Sequence, residues 1–217
     1  HFSPRFTVKP ENAFIEIIKS PTELEIVNIY GAMPDEKWIQ QHESNYLYVI
    51  QNLNKSLKVS GRNMSQIAPG QVIEIDGVKV EILSTLNPEI TANAINNSSL
   101  AMKMTDECKS VLFLSDLGVE AGNKLLKSLY ADKLKSDYVQ MAHHGQNGVS
   151  REFYEKVKPD YALWPTPFWL WKNDNGGGKN SGPWKTLEVR KWMEDIGIKK
   201  NYVSAFGLTK ISCKNKN

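Results

Sequence analysis

Two short segments of the sequence hold the side chains best suited to chemistry. The apolar stretch SVLFL is followed by Ser115-Asp116, and the later stretch YVQMA is followed by His143-His144-Gly145. Each stretch is typical of a buried strand, so these polar side chains are expected at one edge of a sheet, where a ligand can reach them. Carboxylate and imidazole together suit a borderline cation such as zinc. Asp116, His143 and His144 are therefore predicted to be metal ligands and catalytic residues.

Each segment also has a plainer interpretation. Asp116 precedes a predicted helix and is of a residue type that commonly caps helix N-termini. A His-His pair before glycine is also common in surface turns. The occurrence of both segments at strand ends favours the metal site over two unrelated structural roles.

A third segment completes a resemblance to a known family. Asn96-Asn97-Ser98-Ser99-Leu100, Ser115-Asp116 and His143-His144-Gly145 follow one another in the order seen in the metallo-β-lactamase superfamily. The branch they resemble most includes the hydrolase domain of ComEC-type DNA-uptake proteins, and the likeness covers about residues 70–205. It implies an α/β fold, a layered αββα sandwich, with zinc as cofactor.

The resemblance also implies roles for individual residues. Asp116 would bridge two metals, and one of the two histidines, with His143 preferred, would be the last ligand. Asn96 or Asn97 would occupy the corner where other branches place a histidine, and Asn96, Asn97 and Ser99 are expected to bind substrate. The substrate implied is a phosphodiester or related ester, either a small molecule or nucleic-acid-like.

The first metal motif of that superfamily, His-x-His-x-Asp-His, does not occur in this sequence. Its four histidines are His1, His42, His143 and His144, and His42 is expected on the surface of a helix. The chain is therefore expected to be one domain over 1–217 that corresponds to the C-terminal portion of such a hydrolase. With half of the ligand set, it is expected to bind zinc weakly and to lack hydrolase activity by itself.

An insert rich in Trp, Gly and Pro follows the predicted strand at 160–164. Residues 165–183 are predicted to be an irregular loop, and Trp164, Trp169 and Trp171 are candidates for stacking on a substrate ring. The alternative is that these tryptophans pack the loop onto the domain. The loop also supports a second hypothesis for the whole chain, a non-catalytic binding module that holds a partner through this loop.

The amino-acid composition limits the kinds of protein that this chain can be. The 217 residues are 41% hydrophobic and 24% charged with a net charge of +3, which indicates a soluble globular chain without a strong nucleic-acid footprint. No apolar run is long enough to span a membrane, and the compartment, cytoplasmic or cell-surface, stays open, as does the oligomeric state. Cys108 and Cys213 are expected to be free thiols. The absence of Gly-x-Ser-x-Gly argues against a serine hydrolase.

The pattern of apolar residues predicts the elements that position these side chains. Predicted strands lie at 24–30, 72–75, 78–83, 98–104, 111–115, 138–142, 160–164 and 201–205, and predicted helices at 35–54, 119–130, 151–157 and 184–195. Asp76-Gly77 indicates a hairpin between the second and third strands. The four strands from 98 to 164 are expected in one sheet, with helices 119–130 and 151–157 on one face.

Overall fold

A computed structural model describes residues 17, 18 and 25–213 of the chain as two sheets with helices around them. The strands are β1 (Ile29–Gly31), β2 (Met64–Gln66), β3 (Val72–Ile75), β4 (Val78–Ser84), β5 (Ala101–Thr105), β6 (Ser110–Phe113), β7 (Tyr138–Gln140), β8 (Tyr161–Trp164) and β9 (Lys200–Val203). The α-helices with both ends described are α1 (Glu36–His42), α2 (Leu47–Val59), α3 (Ala94–Asn97), α4 (Val119–Leu126), α5 (Arg151–Val157), α6 (Phe168–Trp171) and α7 (Thr186–Ile196).

The larger sheet has seven strands in the order β3-β4-β5-β6-β7-β8-β9. Strands β3 to β6 pair antiparallel, whereas β6 to β9 pair parallel. The predicted hairpin is confirmed, since Asp76 and Gly77 both have positive φ between β3 and β4. The parallel strands all end at one edge of the sheet, here called the carboxyl edge.

Helices α4, α5 and α7 contribute to a core on one face of this sheet. Alternate residues of the central strands, such as Leu112, Val139 and Ala162, are fully buried and pack in one cluster with Phe153 and Met193 from the helices. Burial of a side chain the size of Phe153 stabilises the fold by about 2–3 kcal/mol. The predicted α/β layering, one sheet containing the four central strands and helices on one face, is confirmed.

The N-terminal part of the described chain forms a smaller unit. Strands β1 and β2 pair parallel, joined by α1 and α2, over a cluster of Ile18, Ile29, Leu53 and Leu57. The predicted cap is confirmed, because the Asp35 carboxylate accepts a hydrogen bond from the Trp38 amide at 2.8 Å.

Several predicted boundaries were wrong. The strand expected at 24–30 is regular only at Ile29–Gly31, and its first residue lies outside the described residues. The helix expected at 35–54 is interrupted at Glu43, whose φ of −148° is not helical. The helix expected at 119–130 ends at Leu126, and the loop 165–183 contains the short helix α6. Short-range periodicity detects an element's existence better than its ends.

The expectation of free thiols was wrong. Cys108 and Cys213 form a disulfide, with their Cα atoms 6.1 Å apart although the residues are 105 positions apart in the chain. The bond ties the C-terminal segment to the turn between β5 and β6. Because only tertiary folding brings the two cysteines together, their spacing in the sequence gave no signal.

None of the helices in the described part of the chain combines the length and apolarity needed to cross a bilayer.

Candidate metal site at the carboxyl edge

Asp116 and His144 meet at the carboxyl edge of the seven-stranded sheet. Nε2 of His144 lies 3.9 Å from Oδ1 of Asp116, and the two side chains are 24% and 15% exposed. They come from the segments after β6 and β7, which are parallel neighbours, so the edge geometry brings together residues far apart in the chain. The predicted approach of Asp116 to one of the two histidines is confirmed.

The ring of His144 is held by the loop that follows β8. Nδ1 of His144 lies 2.6 Å from the carbonyl oxygen of Pro165. A carbonyl can only accept, so Nδ1 donates and carries a proton. In the neutral ring Nε2 is then the nitrogen with the lone pair, and Nε2 is the atom facing Asp116. Histidines that bind metals are commonly oriented in this way by a backbone carbonyl.

Two hydrogen bonds that involve Thr166 extend this support. The Thr166 hydroxyl is fully buried and donates to the carbonyl of His144 at 2.6 Å. The carbonyl of Thr166 in turn accepts a bond from the Ser204 hydroxyl at 3.2 Å. The backbone of His144 is thus linked to the segments that follow both β8 and β9.

Backbone conformations around the site are unusual. Ser115, His143 and His144 have φ of 50°, 48° and 60°, in the left-handed region that residues with a Cβ seldom occupy. Each such residue costs on the order of 1–3 kcal/mol and persists only when its surroundings hold it. Such strain is concentrated in proteins at binding and catalytic sites.

Gln140 holds the strained segments together. Its side-chain oxygen accepts from the amides of Leu114 and Ser115 at 3.0 and 2.8 Å. The carbonyl of Ser115 also accepts from the amide of His143 at 3.0 Å. One side chain at the end of β7 therefore fixes the turn that presents Asp116.

Gly145 allows the His-His turn to lie against the core. Its φ is +78°, and a Cβ at this position would overlap the ring of Trp164. Trp164 is 1% exposed, and its Nε1 donates to Asn201 at 2.6 Å. Only glycine satisfies both the backbone conformation and the close approach.

A buried tyrosine supports the same turn from below. The amide of Ala142 donates to the Tyr154 hydroxyl at 3.1 Å. Burial raises the pKa of Tyr154 well above its ordinary range, so the hydroxyl stays neutral. The turn is therefore held on a hydroxyl group that is neutral near pH 7.

His143 occupies a different position from His144. Its Nδ1 lies 3.3 Å from the carbonyl of Asn147, and its ring centroid is 6.2 Å from that of His144. The sequence argument preferred His143 as the ligand beside Asp116, whereas the structure places His144 there. His143 lies on the same turn and stays a candidate.

Asn97 has a structural position, contrary to its predicted contact with substrate. Its side chain is fully buried, and its Oδ1 accepts from the amide of Ala121 in the first turn of α4. Its Nδ2 donates to the Ala92 carbonyl at 2.9 Å. A Cβ on Gly118, the N-cap residue of α4, would lie 2.9 Å from Cγ of Asn97. The capping group of α4 is therefore Asn97, and the cap interpretation of Asp116 was wrong.

Asn96 and Ser99 lie beside the site on the segment that precedes β5. The hydroxyl of Ser115 donates to the carbonyl of Leu100 at 2.9 Å, which places this segment next to the Asp116 turn. Both residues are partly exposed, and Nδ2 of Asn96 donates to Asn93 at 2.9 Å. Their placement is compatible with the predicted contact with substrate.

The three candidate tryptophans are placed differently from one another. Trp164 belongs to the core and offers no surface to a substrate, which corrects its predicted role. Trp171 is partly buried between Trp164 and the guanidinium of Arg190, which lies 4.0 Å from its ring centroid. Trp169 is 42% exposed and packs against Trp184 at 4.8 Å. Packing of the loop onto the domain thus accounts for most of these rings.

Sequence reasoning missed two positioning residues, Gln140 and Thr166. Gln140 stood out only as a polar residue inside an apolar strand, and Thr166 as one residue of an irregular loop. Their roles depend on contacts with segments 25 and 22 positions away.

Comparisons with known proteins give matches only among solved structures. No protein-family model matches the sequence, and no curated protein matches it. The metallo-β-lactamase fold protein YhfI from Bacillus subtilis is 12% identical with a TM-score of 0.41, over 80% of this chain and 58% of that one. An isothiocyanate hydrolase from Delia radicum gut bacteria is 13% identical with a TM-score of 0.43, over 75% and 64%.

A third similar structure is that of a Thermotoga maritima protein assigned as a zinc-dependent hydrolase of the metallo-β-lactamase superfamily. It is 14% identical with a TM-score of 0.32, over 47% of this chain and 48% of that one. This chain spans between about half and two thirds of the length of the three structures. With identities of 12–14% and TM-scores below 0.5, these likenesses assign neither a family nor an activity to this chain.

Proposed function

We propose that this chain is the C-terminal portion of a metal-dependent hydrolase of the metallo-β-lactamase superfamily, in the ComEC-like branch, acting on phosphodiesters or related esters. The observation that carries the proposal is the convergence of Asp116 and His144 at 3.9 Å, with the His144 ring oriented by a backbone carbonyl. The left-handed backbone of Ser115, His143 and His144 also supports it, because such strain is concentrated in proteins at binding and catalytic sites.

The donor set fits a borderline cation. Oδ1 of Asp116 and Nε2 of His144 are oxygen and nitrogen ligands of the kind zinc takes, with His143 on the same turn as a further candidate. A bound zinc ion would supply hydroxide near neutral pH for attack on a phosphoryl or carbonyl centre. In this chain, Pro165 keeps the proton on Nδ1 of His144, and Gln140 keeps Asp116 in place. Asn96, Ser99 and Trp169 are proposed to contact the substrate.

Weak metal binding at this half-site can be tested by NMR on the oxidised protein with substoichiometric Mn²⁺. Paramagnetic broadening is expected to centre on the amides of Asp116 and His144. Asp116→Asn and His144→Ala should each remove it, whereas His42→Ala, on the exposed end of α1, should leave it unchanged. The chain alone is expected not to hydrolyse bis(p-nitrophenyl) phosphate with added zinc.

Two outcomes would contradict the proposal in different ways. If the paramagnetic broadening were the same in Asp116→Asn and His144→Ala as in the wild type, Asp116 and His144 would not be metal ligands. Tight one-to-one zinc binding with metal-dependent turnover would show a complete site in these residues, and the half-site proposal would have to be abandoned.

Exposed aromatic side chains favour a second candidate, a binding module without catalysis. Phe168, Trp169 and Phe206 are 49%, 42% and 65% exposed, and Phe168 and Phe206 meet edge to face at 6.1 Å. Phe168 lies two residues after Thr166, whose hydroxyl donates to the His144 carbonyl, and Phe206 lies two residues after Ser204, which donates to the Thr166 carbonyl. This candidate would be favoured if the protein were folded but Mn²⁺ did not broaden the amide signals of Asp116 and His144.

A further inference from the structure

A second group of metal-ligating side chains lies at the end of the sheet opposite the carboxyl edge. Asp106, Cys108 and Cys213 each offer one ligand atom, and the three atoms lie within 4.8 Å of one another. Asp106 and Cys108 belong to the turn between β5 and β6, whereas Cys213 comes from the C-terminal segment. In the disulfide form the two sulfur atoms are bonded to each other and do not act as thiolate ligands.

The turn presents Asp106 in a fixed orientation. Oδ1 of Asp106 accepts from the amides of Cys108 and Lys109 at 2.8 and 2.7 Å, which fixes the carboxylate on its own turn. These two N–H donors lower the pKa of Asp106, so the group is ionised at neutral pH. Its other oxygen, Oδ2, lies on the side of Cys213, 3.9 Å from the sulfur.

We propose that, when the Cys108–Cys213 disulfide is reduced, Asp106, Cys108 and Cys213 form a binding site for one zinc-class divalent cation. The site is independent of the proposed Asp116–His144 site, from which it differs in residues, in position and in its need for a reductant. Two thiolates and a carboxylate carry three negative charges and are ligands that zinc accepts at about 2.0–2.3 Å, with water in the fourth position. Hard cations such as Ca²⁺ prefer oxygen ligands alone and should bind poorly.

The disulfide is accessible to a reductant, because Cys108 is exposed and Cys213 is only partly buried. Reduction by a thiol transfers two electrons: two molecules of RSH become RSSR, and the cystine becomes two cysteine thiols. Metal binding then displaces the two thiol protons to solvent. The ammonium of Lys109 lies 3.3 Å from the Cys108 sulfur.

The same three residues would hold the C-terminal segment in both redox states. Residues 207–213 have no regular secondary structure, and most of their side chains are exposed. In the oxidised protein the disulfide attaches this segment to the sheet. In the reduced protein the cation would link the same two cysteines and keep this attachment.

Cobalt(II) is a suitable probe, because thiolate ligands give an intense charge-transfer absorption in the near ultraviolet. We expect this absorption on adding Co²⁺ to protein reduced with a phosphine, which becomes the phosphine oxide, and not with the oxidised protein. Zinc should displace the cobalt. Cys108→Ser should abolish the band, and Asp106→Asn should weaken Co²⁺ binding at least tenfold.

Two variants serve as matched controls. Asp132→Asn removes an exposed carboxylate elsewhere on the surface, and His144→Ala alters only the carboxyl-edge site. Both variants should leave the cobalt band unchanged. Loss of the cobalt site and loss of the Asp116–His144 site can therefore be told apart. Zinc absorption-edge spectroscopy on the reduced wild type needs no variant and should give two sulfur neighbours with oxygen completing the shell.

Three results would overturn the proposal: no cobalt–thiolate band in the reduced wild type, unchanged affinity in Asp106→Asn, or a four-sulfur zinc shell, which would indicate a site shared between chains.

Discussion

The contact between Gly145 and Trp164 allows a quantitative test of how the His-His turn is supported. In Gly145→Ala, the new Cβ would lie at φ +78° and overlap a ring that is 1% exposed. Left-handed backbone costs alanine about 1 kcal/mol more than glycine, and overpacking a rigid core costs about 1–3 kcal/mol. The free energy of unfolding should therefore fall by about 2–4 kcal/mol.

Gly197→Ala is the matched control. Gly197 ends α7 with φ +85°, and a Cβ there would have no neighbour within 4 Å, so only the backbone cost of about 1 kcal/mol applies. Urea unfolding of both variants, followed by far-ultraviolet circular dichroism, separates the two contributions. Equal losses in the two variants, within about 0.5 kcal/mol, would refute the claim that Trp164 restricts the turn.

Three further predictions concern the supports of the fold. Asn97→Ala removes the cap of α4 and a buried amide, so urea unfolding should show a loss of about 2–3 kcal/mol; a loss near zero would contradict the capping role. The carboxylate of Glu81 pairs with Lys79 and Lys133, which hold its pKa below the ordinary value of 4.5. The contribution of these ion pairs to the free energy of unfolding is therefore present above about pH 4.5 and is lost as the pH falls through the lower pKa of the folded state. Glu81→Gln should accordingly reduce the free energy of unfolding by about 1 kcal/mol at pH 7, with the gap closing in acid; a pH-independent gap would exclude the ionic origin. Replacing both Cys108 and Cys213 by serine should lower the free energy of unfolding by about 3 kcal/mol, and with it the melting temperature, because the disulfide constrains a long loop in the unfolded chain. An unchanged melting temperature would exclude that effect.

The sequence predicted those parts of the fold that depend on local pattern. The central strands and the helices α4 and α5 were found because apolar residues recur there with strand or helix periodicity. The Asp-Gly hairpin and the Asp35 cap were found because both depend on residues within four positions of one another. Asp116 and His144 were brought together by one topological rule, that parallel strands end at the same edge.

The remainder depends on contacts between distant segments. Nothing near Asn97 in the sequence indicates that it caps a helix 22 positions later, and nothing near Cys108 indicates a bond to Cys213. The choice between His143 and His144 depended on the carbonyl of Pro165, which belongs to another loop. Local pattern could therefore find the candidate site but could not say which of its side chains face one another.

The disulfide also determines how the chain would respond to mechanical force. A pull applied beyond Cys213 is transmitted through the sulfur atoms to the turn between β5 and β6, and not first to β9, whose described pairing is with β8 alone. The segment between the two cysteines is thereby shielded from extension. In the reduced protein this segment could also be extended by force, which adds roughly 350 Å of contour length from about 105 residues at 3.3–3.6 Å each. The reduced chain would then unfold from β9 inward, one strand at a time. In the oxidised protein the same force acts first on β5 and β6, the strands on either side of the turn that holds Cys108.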